Sequence, residues 1–273
     1  MKLKKSHELI AGTIRPIELA YLIKKILHVK RGEHKLDNGC TFYLDPASNF
    51  GMRLLKDGNY EPACTDAILG LLKEGDTFID LGANEGYFSI LASKKVGMNG
   101  KVFSIEPQQR LWEVIQKNYE LNYCSNATII PYAVGEKEEK LVINLYPSIN
   151  TGASSLSNEE NFGKTRNNIR KKFFGTQQIQ TKQLDKLAED YHTGKINLIK
   201  IDIEWFEFFA LKSAQNLLKN KLIDHILIEF HPSQLKDLGQ SEEEIIRFLN
   251  SYGYEKSDKY AEVFSLKSST SSG

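Results

Sequence analysis

The segment that decides the fold is Thr77-Phe78-Ile79-Asp80-Leu81-Gly82-Ala83-Asn84-Glu85-Gly86, which runs into Tyr87-Phe88-Ser89-Ile90-Leu91-Ala92. An apolar run ends in an acid, a glycine-containing bend follows, and a helical pattern begins. A buried strand that stops in such a bend turns backbone N–H groups and a helix N-terminus toward a ligand. Glycine at 82 and 86 permits the tight turn and close approach of the ligand to the main chain. The dinucleotide fingerprint G-x-G-x-x-G is broken, because Asn84 stands two positions after Gly82. Asp80 also places negative charge where a pyrophosphate would be repelled. The same acid suits a cofactor with a cationic amino-acid end, such as S-adenosylmethionine. Roughly 20 residues further on, where nucleoside-binding folds place a ribose-holding acid, Val102-Phe103-Ser104-Ile105-Glu106-Pro107 reads as a second strand ending in a carboxylate. That carboxylate can accept hydrogen bonds from both ribose hydroxyls of an adenosine.

Outward from this segment, strands and helices alternate. Further strand patterns lie at 101–105, 127–130, 197–201 and 223–229, and helical patterns at 62–73, 86–95, 108–121, 207–219 and 241–251. Such alternation predicts a parallel sheet covered by helices on both faces. Two stretches depart from it. Between 133 and 185 no βα unit is legible: Leu141-Val142-Ile143-Asn144-Leu145-Tyr146 reads as a strand, Asn150 to Leu156 as a polar loop, and 157–175 as a poorly periodic insertion. Loops of that length in compact domains are lids, binding segments or disordered. At the C-terminal end, Tyr254-Glu255-Lys256 and Glu262-Val263-Phe264-Ser265-Leu266 read as two strands with no helix between them, an antiparallel edge pair. Upstream, Leu9, Ile10, Ile14, Ile17, Tyr21, Ile26 and Leu27 give one helical stretch over about 8–28. Asn38-Gly39 within Lys35–Leu44 marks a hairpin. The expected organisation is a helix-and-hairpin cap over 1–60, a main domain over 61–267 with an insertion at about 140–180, and a disordered low-complexity tail over 268–273.

The 273 residues suffice for one sizeable α/β core plus an appendage. Lys and Arg total 36 against 35 Asp and Glu, so no overall field recruits nucleic acid. Cys40, Cys64 and Cys124 lie far apart without metal-ligand spacing and read as reduced thiols of a cytoplasmic protein. The apolar stretch Ile17–Ile23 is followed at once by Lys24 and Lys25 and is too short to form a transmembrane segment. It reads as a docking helix, with a peripheral membrane role as the lesser alternative.

Five segments in order, Asp80–Ser89, Phe103–Pro107, Tyr132-Ala133-Val134-Gly135, Ile199–Glu204 and Ile228–Pro232, together with Tyr60-Glu61-Pro62 upstream, resemble the FkbM-type S-adenosylmethionine-dependent methyltransferases over most of residues 35–266. The resemblance implies a seven-stranded Rossmann-like α/β sheet, which the closing strand pair makes mostly parallel with an antiparallel C-terminal edge. It implies S-adenosylmethionine as cofactor and methyl transfer to a hydroxyl of a sugar, glycan or other small molecule. One departure stands out. The family pattern after the fourth strand is D-x-E-G, and here Trp205 takes the glycine position. An aromatic there is expected to reshape the acceptor pocket or stack on a sugar ring.

Methyl transfer from a sulfonium is an in-line displacement, so catalysis rests on near-attack geometry and on removing the acceptor's proton. Asp202 and Glu204 lie two apart at the end of one strand, and Glu229 and His231 repeat the spacing at the end of the next. Ligands of open α/β sheets bind outside such ends, which makes these four the candidate catalytic groups. Asp202 has an alternative role at the methionine end of the cofactor, and Glu204 one as a partner of Lys200 or a helix N-terminal acid. Four ionisable groups converging on one crevice suit a base, with a divalent-ion site as the lesser alternative; Glu229-x-His231 alone is a weak ligand pattern, and no metal is expected. Cofactor contacts are expected from Asp80 at the sulfonium or amino end, from Gly82, Ala83, Asn84 and Gly86 in the turn, from Glu106 at the ribose, and from Ala133 and Val134 at the adenine. Trp205, Asn150, Gly152 and Ser154 are acceptor-side candidates, while Arg166, Arg170, Lys171 and Lys172 read as a solvated basic face. An RNA or protein methyltransferase and a non-catalytic cofactor-binding protein stay open as alternatives. Asp202-Ile203-Glu204-Trp205 is nothing like the N/D-P-P-Y/F loop of enzymes that methylate base amines, which disfavours nucleic acid. No motif bears on oligomeric state.

Overall fold

Thr77–Leu81 forms β3, with every residue buried. Phe78 joins the core under one face of the sheet, and Ile79 and Leu81 join the core under the other, the mark of a central parallel strand. A computed structural model describes residues 5–151, 155–156 and 174–267. The chain begins with α1 (Lys5–Glu8), a π-helical turn over Leu9–Thr13 and α2 (Ile17–Ile26). The hairpin β1 (Gly32–Lys35) and β2 (Thr41–Leu44) follows, then α3 (Asn49–Asp57) and α4 (Pro62–Leu71). After β3 come α5 (Tyr87–Val96), β4 (Lys101–Ile105), α6 (Gln109–Asn122) and β5 (Ala127–Ile130). The strands β6 (Ala133–Val134), β7 (Lys140–Asn144), β8 (Ser155–Leu156) and β9 (Thr176–Lys182) precede α7 (Leu184–Asp190) and β10 (Ile196–Ile201). The chain closes with α8 (Glu207–Lys212), α9 (Gln215–Lys219), β11 (Ile223–Ile228), α10 (Pro232–Asp237), α11 (Glu242–Ser251), β12 (Tyr254–Lys256) and β13 (Val263–Leu266).

The main sheet has seven strands in the order β12-β13-β11-β10-β3-β4-β5. The five from β11 to β5 run parallel, and β13 pairs antiparallel with both β11 and β12. The expected mostly parallel sheet with an antiparallel C-terminal edge is therefore present. The chain order runs outward from β3 to β4 and β5, then returns to β10 on the opposite side. The crevice between the ends of β3 and β10 is thus the topological switch point, where ligands of open α/β sheets bind.

Three departures from the sequence reading have physical causes. The helical stretch over 8–28 is two pieces, because Pro16 has no N–H to continue a helix, and α2 starts after it. The single helix read over 207–219 is α8 and α9, with Ser213 and Ala214 between them. Ser213 turns its hydroxyl back to the Ala210 carbonyl and receives the Leu184 N–H, tying the break to α7. Between 133 and 185 the structure holds a second, four-stranded sheet in the order β6-β9-β7-β8, followed by α7. Its central strand β9 is Thr-Gln-Gln-Ile-Gln-Thr-Lys, of which only Ile179 and Thr181 are buried. That composition carries almost no hydrophobic signal. The tail over 268–273 lies outside the described residues.

The N-terminal hairpin shares a core with the main domain: Phe42 and Leu44 pack with Phe78, Tyr87 and Ile115. Among the described residues, the edge of β2 away from β1 meets no strand. Two asparagines of α6 cover it instead, Asn122 accepting from the Thr41 N–H (3.0 Å) and Asn118 from the Tyr43 N–H (2.6 Å). The Asn118 amide also donates to the Glu85 carbonyl at 2.8 Å, so one fully buried side chain joins hairpin, helix and glycine loop. Asn118→Ala leaves those groups short of partners and is expected to lower stability by about 2–4 kcal/mol in urea unfolding. A loss under about 0.5 kcal/mol would mean the hairpin holds its place without this clamp.

Candidate active site

The loop after β3 is built by close approach. A Cβ on Gly82 would sit 1.9 Å from the Asp202 carbonyl oxygen, and its φ of +82° lies in the left-handed region. Glycine is therefore the residue that lets the loops after β3 and β10 meet. Gly82 and Ala83 donate their N–H groups to the Ile105 carbonyl, aligning this loop with the end of β4. Glu106, at that end, is buried and lies across the loop: one carboxylate oxygen accepts the Asn84 N–H and the other the Gln108 N–H, each at 2.9 Å. Burial pushes its pKa up to about 7 against the pull of those hydrogen bonds. Thr151 donates to the Asn84 side chain at 2.8 Å, so the segment before residue 152 straps over the loop.

These elements open onto one cavity of about 280 Å³. Gly82, Ala83, Asn84, Glu106, Ala133 and Val134 line one part of its wall, and Asn150 lines it too. Asp202 and Glu204 from the end of β10, and Glu229 and His231 from the end of β11, line another. All four candidate catalytic side chains thus face one space, with one ligand-type atom each of Asp202, Glu229 and His231 within 4.8 Å of one another. Burial raises Glu204 to about 7, and burial with repulsion from Asp202 and Glu61 does the same for Glu229. Burial alone would lower the His231 pKa, but its hydrogen bond to Glu207 and the surrounding carboxylates raise it to about 9.

The FkbM methyltransferase domain model matches residues 80–256, well over half of the chain. The chain belongs to the FkbM methyltransferase domain family. This family uses S-adenosylmethionine as methyl donor. A curated relative, hexuronic acid methyltransferase AglP of Haloferax volcanii, is 26% identical over 161 residues, which cover 58% of this chain and 57% of the relative. The chain therefore spans little more than half the length of that relative. Among solved structures, a SAM-dependent methyltransferase from Aquifex aeolicus overlaps with a TM-score of 0.39 at 17% identity, covering 78% of this chain and 89% of that one. An rRNA methylase from Streptococcus thermophilus overlaps with a TM-score of 0.41 at 10% identity, covering 75% and 95%. Likeness at that level says nothing about what this FkbM-family chain acts on.

Other expected site residues lie elsewhere. Asp80 is fully buried beneath the loop and does not line the cavity. It accepts a hydrogen bond from Ser89 at 2.6 Å and is the cross-strand neighbour of Lys200. Gly86 is the N-cap of α5, behind the lining. Trp205 is buried and off the cavity wall, which Phe206 lines instead. The Trp205 φ of +79° is the left-handed conformation that glycine adopts freely, so the family's glycine at this position has a backbone reason. Gly152, Ser154 and the basic cluster at 166–172 lie outside the described residues. Sequence reasoning gave no cavity role to Lys200, Glu61 or Tyr132, which line it, nor to Glu207, which holds His231 from behind; Lys200, expected as a partner of Glu204, donates to Asp202. Lys200 sits in a strand that otherwise reads as core, and its lone charge in Ile-Asn-Leu-Ile-Lys-Ile was the available signal.

Backbone donors fill one lone pair on each Glu106 oxygen and leave others for hydroxyl donors, a fit to the ribose of the family's cofactor. The folded protein holds a proton on Glu106 up to about pH 7, where an unfolded glutamate releases it near 4.5. This group therefore withdraws stability from the free protein as pH rises from about 4.5 to 7, and a ligand that donates to the carboxylate recovers it. Affinity for S-adenosylmethionine is expected to rise several-fold between about pH 6 and 8, with proton release on binding, by calorimetry in buffers of different ionisation enthalpy. Glu106→Gln should bind more weakly and lose the pH dependence; a pH dependence unchanged in this variant would move the ribose elsewhere.

Proposed function

We propose that this chain transfers the methyl group of S-adenosylmethionine to a hydroxyl oxygen of a sugar or glycan. The observation that carries the reading is the convergence of Asp202, Glu204, Glu229 and His231 on the cavity that the glycine loop and Glu106 also line. The cofactor supplies an electrophilic methyl group on a sulfonium. The turn from Gly82 to Asn84 and the Glu106 carboxylate hold its adenosine, with Ala133 and Val134 against the base. Asp202 faces the positive end, and Asp80 acts from below through Lys200.

A sugar hydroxyl is a weak nucleophile, and removing its proton is the work left to the protein. Asp202, Glu229 and His231 hold the hydroxyl in line with the sulfonium, and half-buried Glu204 beside them takes the proton and passes it to solvent. The S–CH3 bond breaks with its electron pair going to sulfur as the O–CH3 bond forms. AglP is named for a hexuronic acid, which offers both hydroxyls and a carboxylate. Among the described residues, Glu61, Asp202, Glu204 and Glu229 line this cavity with Lys200 and His231 as its cationic side chains. Such a wall repels a bare carboxylate and suits a neutral hydroxyl.

Incubation with labelled S-adenosylmethionine and a panel of sugars, uronic acids, glycolipids and RNA should give an alkali-stable methyl ether on a sugar-containing acceptor. A base-labile ester, or label on RNA alone, would reject the hydroxyl reading. Glu229→Gln and His231→Ala are expected to lower turnover by about 100-fold or more while cofactor affinity changes less than threefold. Unchanged turnover in both would remove this wall from the chemistry.

A further inference from the structure

Among the described residues, one cluster of metal-type donors stands on the cavity wall, and its surroundings give it more than acidity. Asp202, Glu229 and His231 come from the ends of two adjacent parallel strands, a rigid platform. His231 Nε2 lies 3.8 Å from Glu229 Oε1. That is beyond hydrogen-bond reach, yet within the span of two ligands bound to one ion at about 2.1 Å each. All three donor atoms lie within 4.8 Å of one another, close to the roughly 4.2 Å that two ligands of one ion at about 2.1 Å each can span.

The supporting observation lies outside the cluster. Glu207, in the first turn of α8, is fully buried, and its Oε1 lies 2.8 Å from His231 Nδ1. A carboxylate that accepts the Nδ1–H fixes the ring and directs Nε2 to the opposite side, the usual support of a metal-ligating histidine, and an ion bound there would take the place of the second ring proton. Here the opposite side is the space shared with Glu229 and Asp202. Asp202 is held in a similar way: Lys200 takes its Oδ2 at 2.8 Å and leaves Oδ1 for another partner. Each of these two donors is thus anchored on one atom and offers another.

We infer that Asp202, Glu229 and His231 form a site for a hard divalent cation of the Mg²⁺ or Mn²⁺ class, which binds the acceptor through two neighbouring oxygens. Two carboxylates and one imidazole suit a six-coordinate ion and leave three positions open. A vicinal diol, or a hydroxyl beside a carboxylate, fills two of them. The ion lowers the acidity barrier of the reacting hydroxyl and offsets part of the negative charge on this wall. Its proton still leaves through Glu204. The inference rests on the methyl-transfer reading and departs from the sequence expectation of no metal, because Asp202 adds a third donor to a pair that is weak by itself.

The test uses the full chain and Mn²⁺ as probe. Electron paramagnetic resonance should count one saturable Mn²⁺ per chain. Glu229→Gln and His231→Ala should lose saturable binding, and Glu207→Gln should weaken it roughly 10- to 100-fold. Calorimetry with S-adenosylmethionine checks that each variant keeps a folded cofactor site. No saturable Mn²⁺ in wild type, or equal Mn²⁺ binding in wild type and Glu229→Gln, overturns the site. Glu207→Gln binding Mn²⁺ as well as wild type overturns the argument from His231. Cofactor binding and methyl transfer that persist in chelator would reject the ion and leave the methyltransferase reading standing, whereas a wild-type chain that fails to bind S-adenosylmethionine rejects the reading itself.

Discussion

One buried ammonium makes the rest of the site tolerable. Lys200 is 1% exposed one residue before the end of β10, with Nζ 2.8 Å from Asp202 and 4.8 Å from the centre of the Phe88 ring, and Asp80 as its cross-strand neighbour. Burial alone would lower its pKa, but Asp202 and then Asp80 outweigh burial and raise it, so the charge is permanent. Breaking a buried pair of this kind costs about 3–5 kcal/mol, because the surviving charge has nowhere to go. Asp80 lies beneath the glycine loop and Asp202 above the end of the next strand, so one cation couples that loop to the acidic wall of the cavity. A hydrogen-bonded row behind Asp80, through Ser89 and Ser104 to Tyr119, ties the same charge into α5 and α6.

Backbone demands explain why two loops meet there without strain at one point and with strain at the other. Gly82 has no Cβ to strike the Asp202 carbonyl, and its left-handed φ is free. Trp205 takes a φ of the same sign with a full side chain, a conformation that costs an L-residue about 1–2 kcal/mol. Burial of the indole is available to offset it. The turn at Trp205 matters most for the two residues beyond it, since it delivers Phe206 to the cavity and Glu207 to His231. The aromatic at the glycine position thus bears on the site through the chain path, with its indole buried off the cavity wall.

The parts legible in the sequence share one property: their physics is local. β3, β4 and β5 have the boundaries that their apolar runs suggest, and the loop at 82–86 is readable because glycines and a terminal acid sit in one window. Both pairs of acid and partner at the ends of β10 and β11 follow from strand periodicity. The rest depends on contacts distant in sequence. Asn118 looks like an ordinary polar residue of α6 until its amide is seen to serve Tyr43 and Glu85. Glu207 is one of several acids near a helix start, and only the fold puts it behind His231. β9 has no periodic apolar face, because most of its stability comes from pairing with β7 and β6. Trp205 is the opposite case, since an aromatic in a loop invites a contact reading while its left-handed backbone sets the path of the residues after it.

The two halves of the cavity are built on different chemistry, and that difference explains why the donor is readable and the acceptor is not. On the cofactor side the polar groups are backbone N–H donors and one carboxylate already held by two of them, so geometry there is set by turns and tolerates little change. The N-terminal cap reinforces it. Arg31 grips Glu85 with two bonds of 2.6 and 2.7 Å, and Lys24 joins Asp45 to Ser148 in the strap that carries Thr151 onto Asn84. On the other side the wall is made of long acidic side chains with more negative charge than the protein neutralises. Such a wall needs something from outside, a cation or a ligand rich in hydroxyl donors, before its geometry is set. Specificity for the acceptor therefore resides in the completed complex more than in the free chain, and a sequence whose glycine loop and Glu106 mark the methyl-donor fold marks the acceptor only through the charge of the opposite wall.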